Sequence, residues 1–110
     1  MALVPKQLGQ VAPTTTTWTD LYTVPSGRVA VVQALEICNS NAVDVTVRLC
    51  FVASGGSAGV SNAILWNITI EASSTLAWRG PHTLKDVGSK IRVYSSNNDV
   101  CFTASGLERT

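Results

Sequence analysis

Apolar side chains alternate with other residues along most of this chain, at the two-residue period of a β-strand. Between residues 28 and 52 the odd-numbered apolar residues are Val29, Val31, Leu35, Ile37, Val43, Val45, Val47, Leu49 and Phe51. The pattern returns at Val100, Phe102 and Ala104. Successive strand residues point to opposite faces, so this spacing places one apolar set on one face of a sheet. No segment has the 3.6-residue period of a helix, and the chain is predicted to be all-β.

Turn-forming residues divide the chain into seven or eight short predicted strands. The turns fall at Pro25-Ser26-Gly27, Asn39-Ser40-Asn41, Ala72-Ser73-Ser74 and Asn97-Asn98-Asp99. Residues 28–38 and 43–53 are expected to pair as one hairpin, and residues 90–95 and 100–105 as another. Short strands with frequent turns are typical of an antiparallel β-sandwich, whose strand order is either jelly-roll or immunoglobulin-like.

The first 17 residues differ from the rest of the chain in composition. They contain Pro5, Pro13 and a run of four threonines, which favours an extended segment. We therefore expect an N-terminal arm over residues 1–17 and one sandwich domain over residues 18–110, a size sufficient for its own core. The apolar residues of the arm are candidate contacts with a neighbouring protein, and these are Leu3, Val4, Leu8 and Val11.

The second sheet face is also richer in apolar residues than a solvent-facing surface normally is. Val32, Ala34 and Cys38 lie opposite the main apolar set, and Cys50 and Cys101 share that outward phase. Charged residues make up only 14% of the chain, against about 25% in a typical soluble domain. We expect another subunit to cover part of this face. The alternatives are coverage by the chain's own arm or loops, and a reversed assignment of the two faces.

Composition also narrows the classes of partner. The net charge of +1 provides no electrostatic footprint for nucleic acid and no basic patch for a membrane surface. No apolar run approaches the ~20 residues that span a bilayer, and the first residues do not resemble a secretory signal. Three scattered cysteines, no Cys-x-x-Cys pair and a single histidine predict reduced thiols and no metal site. The chain is therefore expected to be made in a cytoplasm.

No arrangement of residues predicts catalysis. A nucleophile needs a base and an orienting group, and the single histidine, His82, stands alone in a loop context. The seven carboxylates are spread singly along the chain, which provides no acid–base pair. We therefore expect no enzyme activity, no catalytic residue and no cofactor.

Three tryptophans are the remaining candidates for a binding role. Trp66 and Trp78 follow the apolar phase of their strands and are predicted to be core residues. Trp18 instead shares its phase with Asp20 and Tyr22. Because aromatic residues are enriched at protein interfaces, Trp18 and Tyr22 are predicted to be interface aromatics. The alternative is that an exposed tryptophan stacks on a sugar ring, as in a carbohydrate-binding module.

Five phrases of the sequence together form a pattern more specific than composition. They are Leu8-Gly9-Gln10, Thr17-Trp18-Thr19-Asp20-Leu21-Tyr22-Thr23-Val24-Pro25-Ser26-Gly27, Ile37-Cys38-Asn39, Ile91-Arg92-Val93-Tyr94-Ser95 and Phe102-Thr103-Ala104-Ser105-Gly106-Leu107-Glu108. These phrases resemble a family of small virion proteins of tailed bacteriophages. The resemblance spans nearly the whole chain. It implies a β-sandwich that is a structural component of the virion and is made in the cytoplasm of the bacterial host.

Among virion components, the first hypothesis is a capsid decoration, or cement, protein. Such a protein stabilises the shell through contacts with the major capsid protein or other virion proteins, often as a homotrimer. None of the shared phrases contains a reactive group, which agrees with a structural role. The alternative is a small tail, neck or baseplate component of the virion, and a carbohydrate-binding module is the third hypothesis.

Overall fold

The computed structural model describes residues 3–109, which form eight β-strands and one short 3₁₀ turn. The strands are β1 (Leu3–Val11), β2 (Thr19–Thr23), β3 (Val29–Asn39), β4 (Val45–Val52), β5 (Ala63–Ile70), β6 (Thr75–Leu84), β7 (Lys90–Ser95) and β8 (Val100–Arg109). The 3₁₀ turn, Val60–Asn62, leads into β5. In this part of the chain no helix is long and apolar enough to cross a bilayer.

The strands form two four-stranded antiparallel sheets. Sheet A has the order β1-β8-β3-β6, and sheet B has the order β2-β7-β4-β5. Of the strands that follow one another in the chain, only β4 and β5 pair, and every other connection crosses between the sheets. This is the double Greek key of an eight-stranded jelly roll. The predicted antiparallel sandwich is confirmed, and its strand order is the jelly-roll alternative.

The two hairpins predicted from the sequence are wrong. β3 lies between β8 and β6, whereas β4 lies in the opposite sheet, and β7 and β8 are likewise in different sheets. The residues that form a tight turn also suit a crossover, so the turn signal carries no information about pairing. Asn39 illustrates this point, because its buried side-chain amide donates to the carbonyl oxygens of Val43 and Ile70 at 3.0 and 3.1 Å. It thereby holds the crossover at the end of β3 rather than a hairpin.

The hydrophobic core lies between the two sheets. In β4 the inward residues are Val45, Val47 and Leu49, as the alternation predicts. In β8 the predicted inward set is also buried, with Phe102 among the largest fully buried side chains. The core therefore follows the two-residue period in these two strands, although Cys50 and Val52 at the end of β4 are also buried, outside that core.

A bulge in β3 reverses the predicted faces of the first half of that strand. The pairing of β3 with β8 and β6 shifts between Val32 and Ala34, which leaves Gln33 without a regular position. Ala30 and Val32 consequently face the core, while the predicted core residues Val29 and Val31 are half-buried. Beyond the bulge, Leu35 and Ile37 face inward as predicted. Alternation alone does not reveal a bulge, since a bulge inserts one residue without changing residue type.

Glycine permits the close strand approach at this bulge. A methyl group on Gly106 of β8 would overlap the carbonyl oxygen of Val31. A side chain at this position therefore has no room unless the backbone of β3 moves.

The segment expected to be an arm is part of the sandwich. Residues 3–11 form the edge strand β1, which pairs with β8 along its length, and Leu8 is buried in the core. The threonine run forms a turn whose Thr15 hydroxyl donates to Asn98 Oδ1 at 2.7 Å. An edge strand tolerates proline as an extended free segment does, so the composition of these residues does not distinguish an arm from the edge strand β1.

An aromatic and arginine surface as the candidate binding site

Four large side chains meet on the outer face of sheet B. We call this cluster of Trp18, Arg48, Trp66 and Tyr94 the aromatic surface. The ring centroids of Trp18 and Tyr94 lie 5.3 Å apart, and those of Trp18 and Trp66 lie 6.2 Å apart. All four residues are half-buried, so each retains an exposed part for contact with another molecule.

The alternation of β4 and β7 explains two of these positions. Val47 and Leu49 face the core, so Arg48 between them faces outward. Ile91 and Val93 of β7 are likewise fully buried, which directs Tyr94 to the same outer face. The alternation along each strand is therefore sufficient to predict that both side chains face outward.

Trp66 reaches the surface because β5 is irregular. Asn67 has a left-handed backbone with φ of 53°, which asparagine tolerates better than most residues. The pairing of β4 and β5 shifts across this residue, and the predicted core residues Ile64 and Ile68 are 37% and 38% exposed. The prediction that Trp66 lies in the core is therefore wrong, while Ile70 beyond the irregularity is buried as expected.

Arg48 joins the aromatic rings to one another. Its guanidinium carbon lies 4.2 Å from the ring centroid of Trp66 and 4.5 Å from that of Tyr94, within the range of a cation–π contact. Its Nε donates to Asn67 Oδ1 at 2.7 Å. The side chain is thus oriented before any partner arrives, which reduces the conformational entropy lost on binding.

Charged residues border the aromatic surface. Asp20 Oδ2 lies 3.0 Å from Lys90 Nζ, and Asp20 Oδ1 lies 2.8 Å from Arg92 Nε. The contacts among and beside the rings therefore involve three cations, Arg48, Lys90 and Arg92, and one carboxylate, Asp20. The surface therefore combines flat apolar rings with a net positive charge.

The six interface residues predicted from the sequence lie in different environments. Trp18 belongs to the aromatic surface, Val4 is 50% exposed on β1, and Val11 is half-buried against the core. Leu8 and Tyr22 are each only 8% exposed, because both pack in the core of this chain, which leaves little of either side chain for contact with a partner. The side chain of Leu3 lies outside the described residues.

Tyr22 is buried because it binds a carboxylate between the sheets. Its hydroxyl donates to Glu108 Oε2 at 2.6 Å, and Arg28 Nη1 donates to Glu108 Oε1 at 2.6 Å. Lys6 Nζ lies 3.4 Å from the same oxygen, and Glu108 is 2% exposed. We call these four residues the Glu108 network. It links β1 and β8 of sheet A, β2 of sheet B and the residue that precedes β3, and so connects the two sheets.

The Glu108 network changes the proton affinity of its members. The hydrogen bond from Tyr22 lowers the pKa of Glu108 and outweighs burial, and Arg28 and Lys6 lower it further. Burial raises the pKa of Tyr22, and the hydrogen bond to Glu108 adds to this effect. The ionised carboxylate and the neutral phenol are therefore the favoured forms at neutral pH.

A cleft of about 230 Å³ opens beside His82, where β4 and β6 end. The ring of His82 stacks on Phe51 with centroids 4.1 Å apart, and burial lowers the pKa of His82. Phe51 also contacts the edge of Trp78, which is partly buried against the core. Within residues 3–109, no group of three or more histidine, cysteine, aspartate or glutamate side chains is arranged to hold a metal ion.

The fold places this chain among the jelly-roll sandwiches. It is similar to a chain in the structure of infectious bursal disease virus, Gx strain, with a TM-score of 0.51 and 10% identity over 97% of this chain. It is also similar to a chain of the T13 infectious bursal disease virus particle, with a TM-score of 0.53 and 10% identity over 97% of this chain. The chain spans 31% and 30% of those two chains. No family model and no curated protein matches the sequence.

Proposed function

We propose that this protein is a structural component of a virion, and specifically a capsid decoration protein of a tailed bacteriophage. The observation that supports this most directly is the jelly-roll fold over 97% of the chain, which is similar to chains of a viral particle. The phage-specific part of the proposal depends on the sequence resemblance. The proposed role makes and breaks no covalent bond.

In this proposal the aromatic surface is the contact with the shell. Trp, Tyr and Arg are the residues that most often dominate the binding energy of protein interfaces, and here they are adjacent and already oriented. The cations around Asp20 favour an acidic surface on the shell protein. If the protein binds as the expected homotrimer, its symmetric copies would contact the shell together. Avidity would then make the overall affinity higher than that of a single contact.

Binding of the purified protein to particles that lack it tests the proposal. We expect the protein to co-sediment with the shells, and Trp66→Ala or Tyr94→Ala to weaken binding by about tenfold or more. Val87→Ala is the matched control, because Val87 is 54% exposed in the loop between β6 and β7. Circular dichroism must show that each variant is folded. Full binding by both folded aromatic variants would contradict this surface as the contact.

The number of copies per virion separates decoration from a tail role. Hundreds of copies, measured by quantitative mass spectrometry of purified virions, support a shell decoration protein. A few to dozens support a tail, neck or baseplate component. Light scattering of the isolated protein tests the homotrimer, and a stable monomer would weaken that part of the proposal.

Carbohydrate binding is the second candidate, and three rings on one outer sheet face favour it. Aromatic rings flanked by polar side chains also suit the apolar face of a sugar. Saturable binding to a glycan array that is lost in Trp18→Ala would support this candidate. Shell binding without glycan binding would leave the decoration role.

A further inference from the structure

We propose that Cys38 and Cys101 form a reversible disulfide across sheet A. The two cysteines lie directly opposite each other on β3 and β8. Their neighbours along the strands, Ile37, Asn39 and Phe102 among them, are fully buried. Because side chains alternate between faces, both thiols point to the outer face of sheet A.

The strand pairing sets the separation of the two cysteines. Ser40 N donates to the carbonyl oxygen of Asp99 at 3.2 Å, and these residues continue the same register. Hydrogen-bonded and non-hydrogen-bonded pairs alternate in antiparallel strands, so Cys38 and Cys101 form a hydrogen-bonded pair. Such a pair has its Cα atoms about 5.5 Å apart, within the 4.4–6.8 Å range of disulfides.

The same geometry makes this disulfide easy to reduce. Opposite Cβ atoms in a sheet lie about 4.5–5.5 Å apart, whereas a disulfide needs about 3.5–4.5 Å. Closing the bond therefore pulls the two strands together locally and strains the bond. Strained disulfides are more oxidising and more readily reduced than relaxed ones.

The exposure of the three cysteines predicts the order in which their thiols react with an oxidant. Cys38 is exposed, Cys101 is half-buried and Cys50 is buried, with its Sγ 3.5 Å from the carbonyl oxygen of Gly59. With a low-molecular-weight disulfide as oxidant, the Cys38 thiolate attacks one sulfur, forms a mixed disulfide and releases one thiolate. The Cys101 thiolate then attacks the Cys38 sulfur and releases the second. Two protein thiols lose two protons and two electrons, which the small disulfide takes up as two thiols.

The bond would join the two central strands of sheet A. The chain between the two cysteines contains β4, β5, β6 and β7, so the cross-link closes a long loop. Closing a long loop stabilises a protein chiefly by restricting its unfolded chain. Oxidation is therefore expected to make the sandwich harder to unfold, and reduction to reverse the effect.

Oxidation of the purified full-length protein with glutathione disulfide tests the proposal. The protein is then unfolded in denaturant at low pH to stop exchange, the remaining thiols are alkylated, and the products are identified by intact mass and peptide mapping. We expect one alkylated thiol, at Cys50, and a peptide linked through Cys38 and Cys101. The melting temperature is expected to rise by about 5 °C or more and to return to its starting value with dithiothreitol.

Two variants serve as controls. Cys38→Ser should fold, since the side chain is exposed, and should show neither the cross-linked peptide nor the shift in melting temperature. Cys50→Ala should retain both. A stable glutathione adduct on Cys38, or a Cys38-linked dimer without the internal bond, would overturn the proposal. This test does not depend on binding to a virion.

Discussion

Two carboxylates in this protein each bind two cations, but they differ in burial. Glu108 is 2% exposed and accepts hydrogen bonds from Tyr22 and Arg28 inside the sandwich. Asp20 is 40% exposed and pairs with Lys90 and Arg92 beside the aromatic surface. Breaking a buried ion pair leaves a charge without water, whereas breaking an exposed pair lets water replace the partner. The first carboxylate is expected to serve stability, and the second to serve binding.

Replacement of Glu108 should have the largest effect on stability. Glu108→Gln keeps the shape but removes the charge, and its amide group presents a donor toward Arg28 and Tyr22. Removing one member of a buried ion pair costs about 3–5 kcal/mol, and the partial exposure of Arg28 and Lys6 points to the lower end. Urea unfolding of the variant and the wild-type protein measures the difference. A loss below about 1 kcal/mol would contradict a stabilising role for the Glu108 network.

Removal of the Tyr22 hydroxyl should have the next largest effect. Tyr22→Phe preserves the buried ring and deletes only the donor to Glu108 Oε2. A hydrogen bond to a charged group contributes about 1.5–3 kcal/mol, so the free energy of unfolding should fall by about 2 kcal/mol. Tyr94→Phe is the matched control, because Tyr94 is half-exposed and makes no side-chain hydrogen bond within the described residues. If the two changes lowered the free energy of unfolding equally, the buried hydroxyl of Tyr22 would contribute no more to stability than the surface hydroxyl of Tyr94.

The stability of the protein should fall at acidic pH because Glu108 becomes protonated. Its pKa in the folded protein lies below the ordinary value of 4.5, so the unfolded chain binds more protons as the solution becomes acidic. The stabilisation is therefore complete above pH 4.5 and is lost as the pH falls through the folded-state pKa. Urea midpoints between pH 7 and pH 3 should converge for wild-type protein and Glu108→Gln. A difference that stays constant over this range would contradict the lowered pKa.

The all-β sandwich was predictable because apolar residues alternate along most of its central strands, although the bulge interrupts the alternation in β3. Val45, Val47, Leu49 and Phe102 occupy the predicted inward positions. The strand order was not predictable, since Asn39 and its neighbours suit a hairpin or a crossover equally well. The Glu108 network was also missed, because its residues are distant in the chain and meet only after the jelly roll forms.

The aromatic surface could be predicted in part. Trp18 was expected to be an interface residue, and the burial of Ile91 and Val93 on either side of Arg92 implies an outward Tyr94. Trp66 could not be placed, because its exposure depends on the left-handed backbone of Asn67. Local backbone irregularities of this kind change which face a residue occupies without changing the apolar pattern.

Replacement of Asp20 should have the smallest effect on stability. Asp20→Asn removes two exposed ion pairs, and such pairs contribute at most about 1 kcal/mol each. The change also frees Lys90 and Arg92 and raises the positive charge beside the aromatic surface. If the partner is an acidic shell surface, Asp20→Asn should bind it several-fold faster at low ionic strength, and the gain should disappear at high salt. Slower association of the folded variant at low salt would contradict an acidic partner. A large loss of stability would contradict the assignment of Asp20 to binding and of Glu108 to stability.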